Sequence, residues 1–145
     1  LFRHFSEVVQ RVGDAKLRIY VYHIPPVAVV GITPALVERL LKAYPGKFKG
    51  IKDSSGSYEN GLAYVENFAK DGFEVYAGDD TLLKPLLEKG GAGCITAASN
   101  VNCSVGQQVY SGWNTPAGAA AHEVLSATRK AVISVPLILP SNKII

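Results

Sequence analysis

An α/β fold with parallel strands is predicted by three observations. Strand-like and helix-like segments alternate four times along the chain, successive strands begin roughly twenty to thirty residues apart, and several polar residues fall at the carboxyl ends of those strands. That spacing fits one crossover helix between neighbouring strands, the connection that joins parallel strands with a right-handed turn.

Each element has its own signal. Phe5, Val8, Val9 and Val12 recur at helical spacing and stop at Gly13. Leu17 to Tyr22 alternates like a strand, rich in β-branched and aromatic residues, and ends before Pro25-Pro26. Thr33 is a good N-cap and Pro34 suits the first helical position, so Leu36, Val37, Leu40 and Leu41 form the apolar face of a helix that runs to Pro45-Gly46. Phe48 to Lys52 reads as the second strand. Ser57 caps a helix carrying Leu62, Val65 and Phe68, which Asp71-Gly72 ends, and Phe73 to Ala77 is the third strand. Gly78-Asp79-Asp80 turns into a helix with Leu82, Leu83, Leu86 and Leu87 that closes at Gly90-Gly91, with Pro85 distorting its first turns. Ala92 to Ala97 is the fourth strand. A shorter helix is expected near Val105 to Tyr110, a longer one from Thr115-Pro116 through Ala131, then an apolar tail from Val135 to Ile145.

Two α/β architectures compete for this pattern. A doubly wound sheet suits the length, but no GxGxxG and no GxxxxGK[ST] follows any strand. A (β/α)8 barrel needs nearly twice this length, so four units make half of one. Tyr22, Lys52, Gly78-Asp79-Asp80 and Thr96 all fall at strand carboxyl ends, where barrels concentrate their chemistry, and this favours the barrel. The expected organisation is a half barrel over residues 1–135 and the start of a C-terminal helical extension over 136–145.

Composition narrows the function classes. The chain has 145 residues, a near-half apolar content and a formal charge of +3 spread without a Lys/Arg block, which leaves nucleic-acid and membrane-surface binding without support. Cys94 and Cys103 form no CxxC and have no neighbouring His pair, so reduced structural thiols, no metal and a cytoplasmic setting are expected. No apolar run approaches the roughly eighteen residues a membrane span needs, and Leu1 to Phe5 lacks a signal-peptide layout. The chain opens on Leu1 within a helical pattern and contains no methionine, so a fragment of a longer protein is expected.

Lys52 is the most informative residue. It closes an apolar strand directly before the polar turn Asp53-Ser54-Ser55-Gly56. An amine nucleophile must be uncharged, yet with a reference pKa of about 10.4 only about one lysine in a few thousand is neutral at pH 7. A nucleophilic role therefore requires surroundings that exclude water and withhold carboxylates, so that the amine condenses with a carbonyl as a Schiff base. Taken alone, the segment suits a solvated surface charge as well or better.

In combination the strand-end segments resemble the pyruvate-dependent class I aldolase family that includes dihydrodipicolinate synthase, N-acetylneuraminate lyase and 2-keto-3-deoxy-sugar-acid aldolases. Tyr22-His23-Ile24-Pro25 is similar to the family's YNxP element and Gly50 to Gly56 to its Schiff-base lysine segment. Gly78-Asp79-Asp80 and Gly90-Gly91-Ala92-Gly93-Cys94-Ile95-Thr96 follow in the family's order and spacing. The resemblance implies strands 5 to 8 of a barrel, no cofactor, a 2-keto acid such as pyruvate and an aldehyde as substrates, and a homo-oligomer, tetramer or dimer, in the complete protein. It casts Lys52 as nucleophile and Tyr22 as proton shuttle. Ser54 would contact the second substrate or, equally, bond its own turn backbone; Gly78 would admit substrate close to the backbone; Asp80 (or Asp79) would bond sugar hydroxyls, with capping of the following helix the competing role for one of the two; and Ile95 would offer its main-chain carbonyl near the lysine. Tyr20, on the same side as Tyr22 but deeper, is expected to pack; His23 points away and is read as structural. His4 and His122 have no evident partners.

Two departures qualify the resemblance. Val27 stands where dihydrodipicolinate synthases carry an arginine that binds the aldehyde's carboxylate, and valine makes no such bidentate pair, which tilts the reading toward aldolases or dehydratases of deoxy-sugar acids. The family's GGTGE-like loop, which binds the pyruvate carboxylate from an early strand, is absent from the chain. The chain by itself is therefore expected to be inactive, and a non-catalytic α/β binding or assembly module stays open as the alternative.

Overall fold

A computed structural model describes residues 1–134. Helix α1 (Phe2–Val12) precedes four strands, β1 (Ile19–His23), β2 (Phe48–Asp53), β3 (Glu74–Ala77) and β4 (Gly93–Cys94). All neighbours pair in parallel, in the order β1-β2-β3-β4. A doubly wound sheet reverses its strand order at a switch point. Here the order never reverses, so right-handed crossovers place every connecting helix on one face, as in a barrel wall.

The helices begin where their caps dictate. The Thr33 hydroxyl accepts the Leu36 N–H at 3.2 Å, with Pro34 at the first position of α3 (Pro34–Ala43). Ser57 accepts the Asn60 N–H at 3.2 Å and opens α4 (Tyr58–Phe68). Each cap is worth about 1 kcal/mol. A single turn, α2 (Pro25–Ala28), follows β1 in the segment expected only to break the strand.

Alternation along the strands divides the sheet into two unlike faces. Val21, Ile51, Val75 and Ala77 point beneath α3 and α4 and join Val37, Leu40, Tyr64, Val65 and Phe68 in the main core. Each fully buried aliphatic or aromatic side chain there contributes about 1.5–3 kcal/mol. Tyr20, Tyr22, Lys52, Glu74 and Tyr76 occupy the intervening positions on the opposite face. A second apolar cluster, Leu83, Leu87, Val109, Ala121 and Leu125, ties α5 (Leu83–Leu87) to α6 (Ser99–Gly112) and α7 (Pro116–Ser134).

The carboxyl-terminal part differs from expectation. The fourth strand comprises Gly93–Cys94 rather than Ala92 to Ala97, although backbone N–H groups of Ala92 and Ile95 still donate to Val75 and Ala77. Thr96 ends it: its hydroxyl donates to Asp80 Oδ1 at 2.7 Å and accepts the Ser99 N–H, turning the chain into α6. That helix consequently starts at Ser99, ahead of Val105, with a non-helical Asn102 whose side-chain amide donates to Thr128 of α7. Pro85 lies in the first turn of α5, preceded by a 3-10 turn over Asp80–Leu82. The expected extension over 136–145 lies outside the described residues.

Candidate active site

Register builds the site. Tyr22 on β1, Lys52 on β2 and Tyr76 on β3 pair across one rung of the sheet, all on the face away from α3 and α4. Adjacent strands are about 4.8 Å apart, so their side chains meet. The Lys52 ammonium stands over the Tyr22 ring, Nζ 4.0 Å from its centroid. Such a contact is worth about 0.5–1 kcal/mol at an exposed site and more once water leaves.

One rung below, Tyr20 and Tyr76 both donate hydrogen bonds to Glu74 Oε2 at 2.7 Å, their rings edge to face at 6.1 Å. Gly50 makes this possible: a Cβ there would collide with the Glu74 carbonyl and lie 2.8 Å from the Tyr20 ring. Tyr20, expected to pack deeper than Tyr22, is instead as exposed as Tyr22, at 47%, and anchors a carboxylate. The two hydrogen bonds hold Glu74 below the usual carboxylate range, and the same bonds raise its tyrosines, Tyr76 to about 12.

Tyr22 moves the opposite way. The Ser54 hydroxyl first, and then Lys52, draw its phenol below the ordinary tyrosine value, against the opposing effect of burial. Among three tyrosines on one face, Tyr22 is the one made more acidic.

Tyr22, Lys52, Ser54, Gly78, Asp79 and Arg129 line one cleft of about 340 Å3 at the strand carboxyl ends, with Val27 at its edge. Backbone bonds bring these segments together: Ser54 N donates to His23 O and Gly78 N to Asp53 O, each at 2.7 Å. The larger cavity of about 750 Å3 lies at the opposite end of the strands, lined by Pro34, Leu41, Phe48, Phe68 and Phe73, far from the rung.

The expectation for Asp80 changes. Asp80 has no exposed surface and accepts hydrogen bonds from Thr96 and Ser99; it locks the β4 turn and does not reach the cleft. Its neighbour Asp79 takes the cleft position while its Oδ1 caps the turn through the Thr81 N–H at 2.9 Å. Gly78 lines the cleft, and an added Cβ would meet Ser54 Oγ and, at 2.6 Å, the Asp53 carbonyl, so its missing side chain also admits the end of β2. The Ile95 N–H donates to the Ala77 carbonyl at 2.9 Å, which pins the end of β4 beside β3. His23 matches its structural reading: Nδ1 accepts the Ile32 N–H at 2.9 Å, leaving Nε2 3.9 Å from buried Asp53. Asp53 in turn accepts from Ser55 N–H and the Asn60 amide, fixing the turn that follows Lys52.

Three residues escaped the sequence reading: Glu74, Tyr76 and Arg129. The alternation Glu74-Val75-Tyr76-Ala77 carried the signal for the first two, while nothing in the α7 sequence distinguishes Arg129 from a surface cation. Among the described residues, no group of three or more His, Cys, Asp or Glu could hold a metal ion, and no helix is long and apolar enough to cross a membrane.

The sequence model of the dihydrodipicolinate synthetase family matches residues 1–142. A 4-hydroxy-tetrahydrodipicolinate synthase of Listeria innocua is 33% identical over 145 residues, covering 98% of this chain and 47% of that protein. A DapA-like lyase of Chloroflexus aurantiacus is 33% identical over 119 residues, covering 81% of this chain and 39% of that protein. A prophage protein of the dihydrodipicolinic acid synthase family from E. coli K12, solved in complex with pyruvate, superimposes with a TM-score of 0.78 at 28% identity, over 86% of this chain and 42% of that one. The chain spans about half the length, or less, of the curated relatives it matches.

Proposed function

The chain belongs to the dihydrodipicolinate synthetase family, and on that premise we propose that the complete protein is a Schiff-base lyase acting on pyruvate or another 2-keto acid, with Lys52 as its amine nucleophile. The described strands are then strands 5 to 8 of a (β/α)8 barrel, with α7 among its carboxyl-terminal helices. Support comes from the half-exposed tyrosine face and the outer edges of β1 and β4, which have no partner among the described residues and which a first half barrel would cover.

The neutral Lys52 amine attacks the keto carbon, and the carbinolamine loses water to give an iminium. In the cleavage direction a base removes the proton of the hydroxyl two carbons away, the carbon–carbon bond breaks to release an aldehyde, and its electrons enter the iminium to form an enamine. Protonation of the enamine and hydrolysis release the keto acid and restore the amine. Tyr22 carries the protons in this account, and Ser54 holds its phenol. The observation that carries the reading is the Lys52–Tyr22 contact of 4.0 Å inside a strand-end cleft, on the tyrosine that its neighbours make more acidic.

Val27 at the cleft edge supplies no charge, which favours 2-keto-3-deoxy-sugar acids as substrates over the aldehyde of dihydrodipicolinate synthesis. Release of the keto acid from a panel of such sugar acids tests the reading. Lys52→Met should abolish turnover and Tyr22→Phe should lower kcat about 10²- to 10⁴-fold. Unchanged turnover in Lys52→Met would contradict it.

A further inference from the structure

A lysine that must shed its proton before it attacks is hindered by any carboxylate that reaches it, because an opposite charge favours the ammonium form. Asp53, Asp79 and Glu74 all stand near Lys52, and each is held by other partners. Asp53, the next residue along, points to the helix side, where it accepts from Ser55 N–H at 2.9 Å and from the Asn60 amide at 3.0 Å. Asp79, at the cleft, lies 3.3 Å from Arg129 Nε and accepts both the N–H and the hydroxyl of Thr81. Glu74 shares the face of Lys52 and sits diagonally below it, since Gly50 pairs with Glu74 and Lys52 with Tyr76. Diagonal neighbours in a sheet are about 7–8 Å apart, within reach of two long side chains. Two phenols take Glu74 Oε2 instead, Tyr20 of β1 and Tyr76 of its own strand, each at 2.7 Å. Tyr20 crosses β2 to do so, over Gly50, where an added Cβ would lie 2.8 Å from its ring.

Resting on the Schiff-base reading, we propose that Tyr20 and Tyr76 are positioning residues that keep the Glu74 carboxylate away from the Lys52 amine. Tyr22, Tyr76, Asp79 and Arg129 are the other titratable or charged groups about the lysine, and Lys49 is a further cation whose charge acts on Glu74. The two hydrogen bonds, that of Tyr20 first, hold Glu74 below the usual carboxylate range, so it carries its charge at neutral pH. With both hydroxyls removed, Glu74 is free to close on Lys52 as an ion pair. Bringing a unit charge from about 7 Å to about 4 Å, at an effective dielectric constant of about 20, raises the pH needed to free the amine by about one unit.

The test follows the rate at which cyanoborohydride traps pyruvate on the full-length protein from neutral to alkaline pH. In Tyr20→Phe/Tyr76→Phe the rising limb of the profile should move up by about one unit, a loss of about tenfold in rate at neutral pH that alkaline pH overcomes. Adding Glu74→Gln to that pair should return the limb to within about 0.3 unit of wild type, a rescue that a merely structural role of the hydroxyls does not give. Either single tyrosine variant should shift less, in the same direction, and carries the test if the pair does not fold. A limb that coincides with wild type, a loss of equal size at every pH, or a shift that Glu74→Gln fails to reverse overturns the assignment while leaving the Lys52 reading intact. Absence of any pyruvate adduct in the wild type overturns both.

Discussion

Gly78→Ala should be among the most disruptive small substitutions near the site, through sterics alone. A methyl group at that position would sit 2.6 Å from the Asp53 carbonyl and 2.8 Å from Ser54 Cα, with Ser54 Oγ closer still. Ser54 Oγ can rotate away, but the other two atoms are backbone. Relief requires the ends of β2 and β3 to separate, which breaks the 2.7 Å bond from Gly78 N to Asp53 O. Overpacking costs about 1–3 kcal/mol and the lost bond about 1, so destabilisation by about 2–4 kcal/mol is expected. With a urea slope of about 2 kcal/mol/M, the unfolding midpoint should fall by about 1–2 M. Gly106→Ala is the internal control, since nothing lies within 4 Å of its added Cβ in helix α6, and it should stabilise by up to about 1 kcal/mol. A Gly78→Ala midpoint indistinguishable from wild type would refute the close approach of β2 and β3 on which the cleft depends.

Gly118→Ala should cost about 3 kcal/mol or more, because its Cβ would run into the Gly112 backbone and lie 2.9 Å from Trp113 N, forcing α6 and α7 apart; a thermal melt within a degree of wild type would count against that packing. Burial raises Tyr64, which donates to the Ile32 carbonyl, from 10.0 to about 12. The folded state therefore prefers the protonated phenol, so its stability is intact below pH 10 and declines by about 3 kcal/mol as pH rises through 12. Urea unfolding of wild type and Tyr64→Phe across this range should show the steeper loss in wild type, and equal slopes would contradict the assignment. Ultraviolet titration should find Tyr22 ionising first and Tyr76 near 12, an order that Tyr22→Phe should remove at its low end. Burial, and then Asp80, push the Cys94 thiol up, so a thiol reagent should modify exposed Cys103 well before Cys94; the reverse order would place Cys94 outside the fold described.

The parts of the fold legible in the sequence are those encoded by local chemistry. Thr33-Pro34 and Ser57 announce their helices because an N-cap acts within one turn, and β1 to β3 are visible through alternation. Lys52 and Tyr22 stand out as a pair in the sequence only through the family resemblance of their segments, and the parallel register then sets the two strand ends side by side. The fourth strand was overextended since its end is set by a hydroxyl of Thr96 reaching Asp80 sixteen positions earlier, a contact no local pattern reports. The same contact explains the exchange of roles between Asp79 and Asp80: adjacent aspartates look alike in sequence, and burial beneath β4 decides which one faces the cleft. Arg129 was invisible for a similar reason, because a helix that packs across the strand ends delivers it.

The central claim is that Lys52 forms the covalent bond to substrate. Its most direct test is reduction of the full-length protein with borohydride in the presence of pyruvate, followed by mapping of the modified peptide by mass spectrometry. One reduced pyruvate on Lys52, in the peptide that also carries Asp53 and Ser54, is the result expected. An adduct on another lysine, or none under conditions where the protein is folded, would contradict the claim.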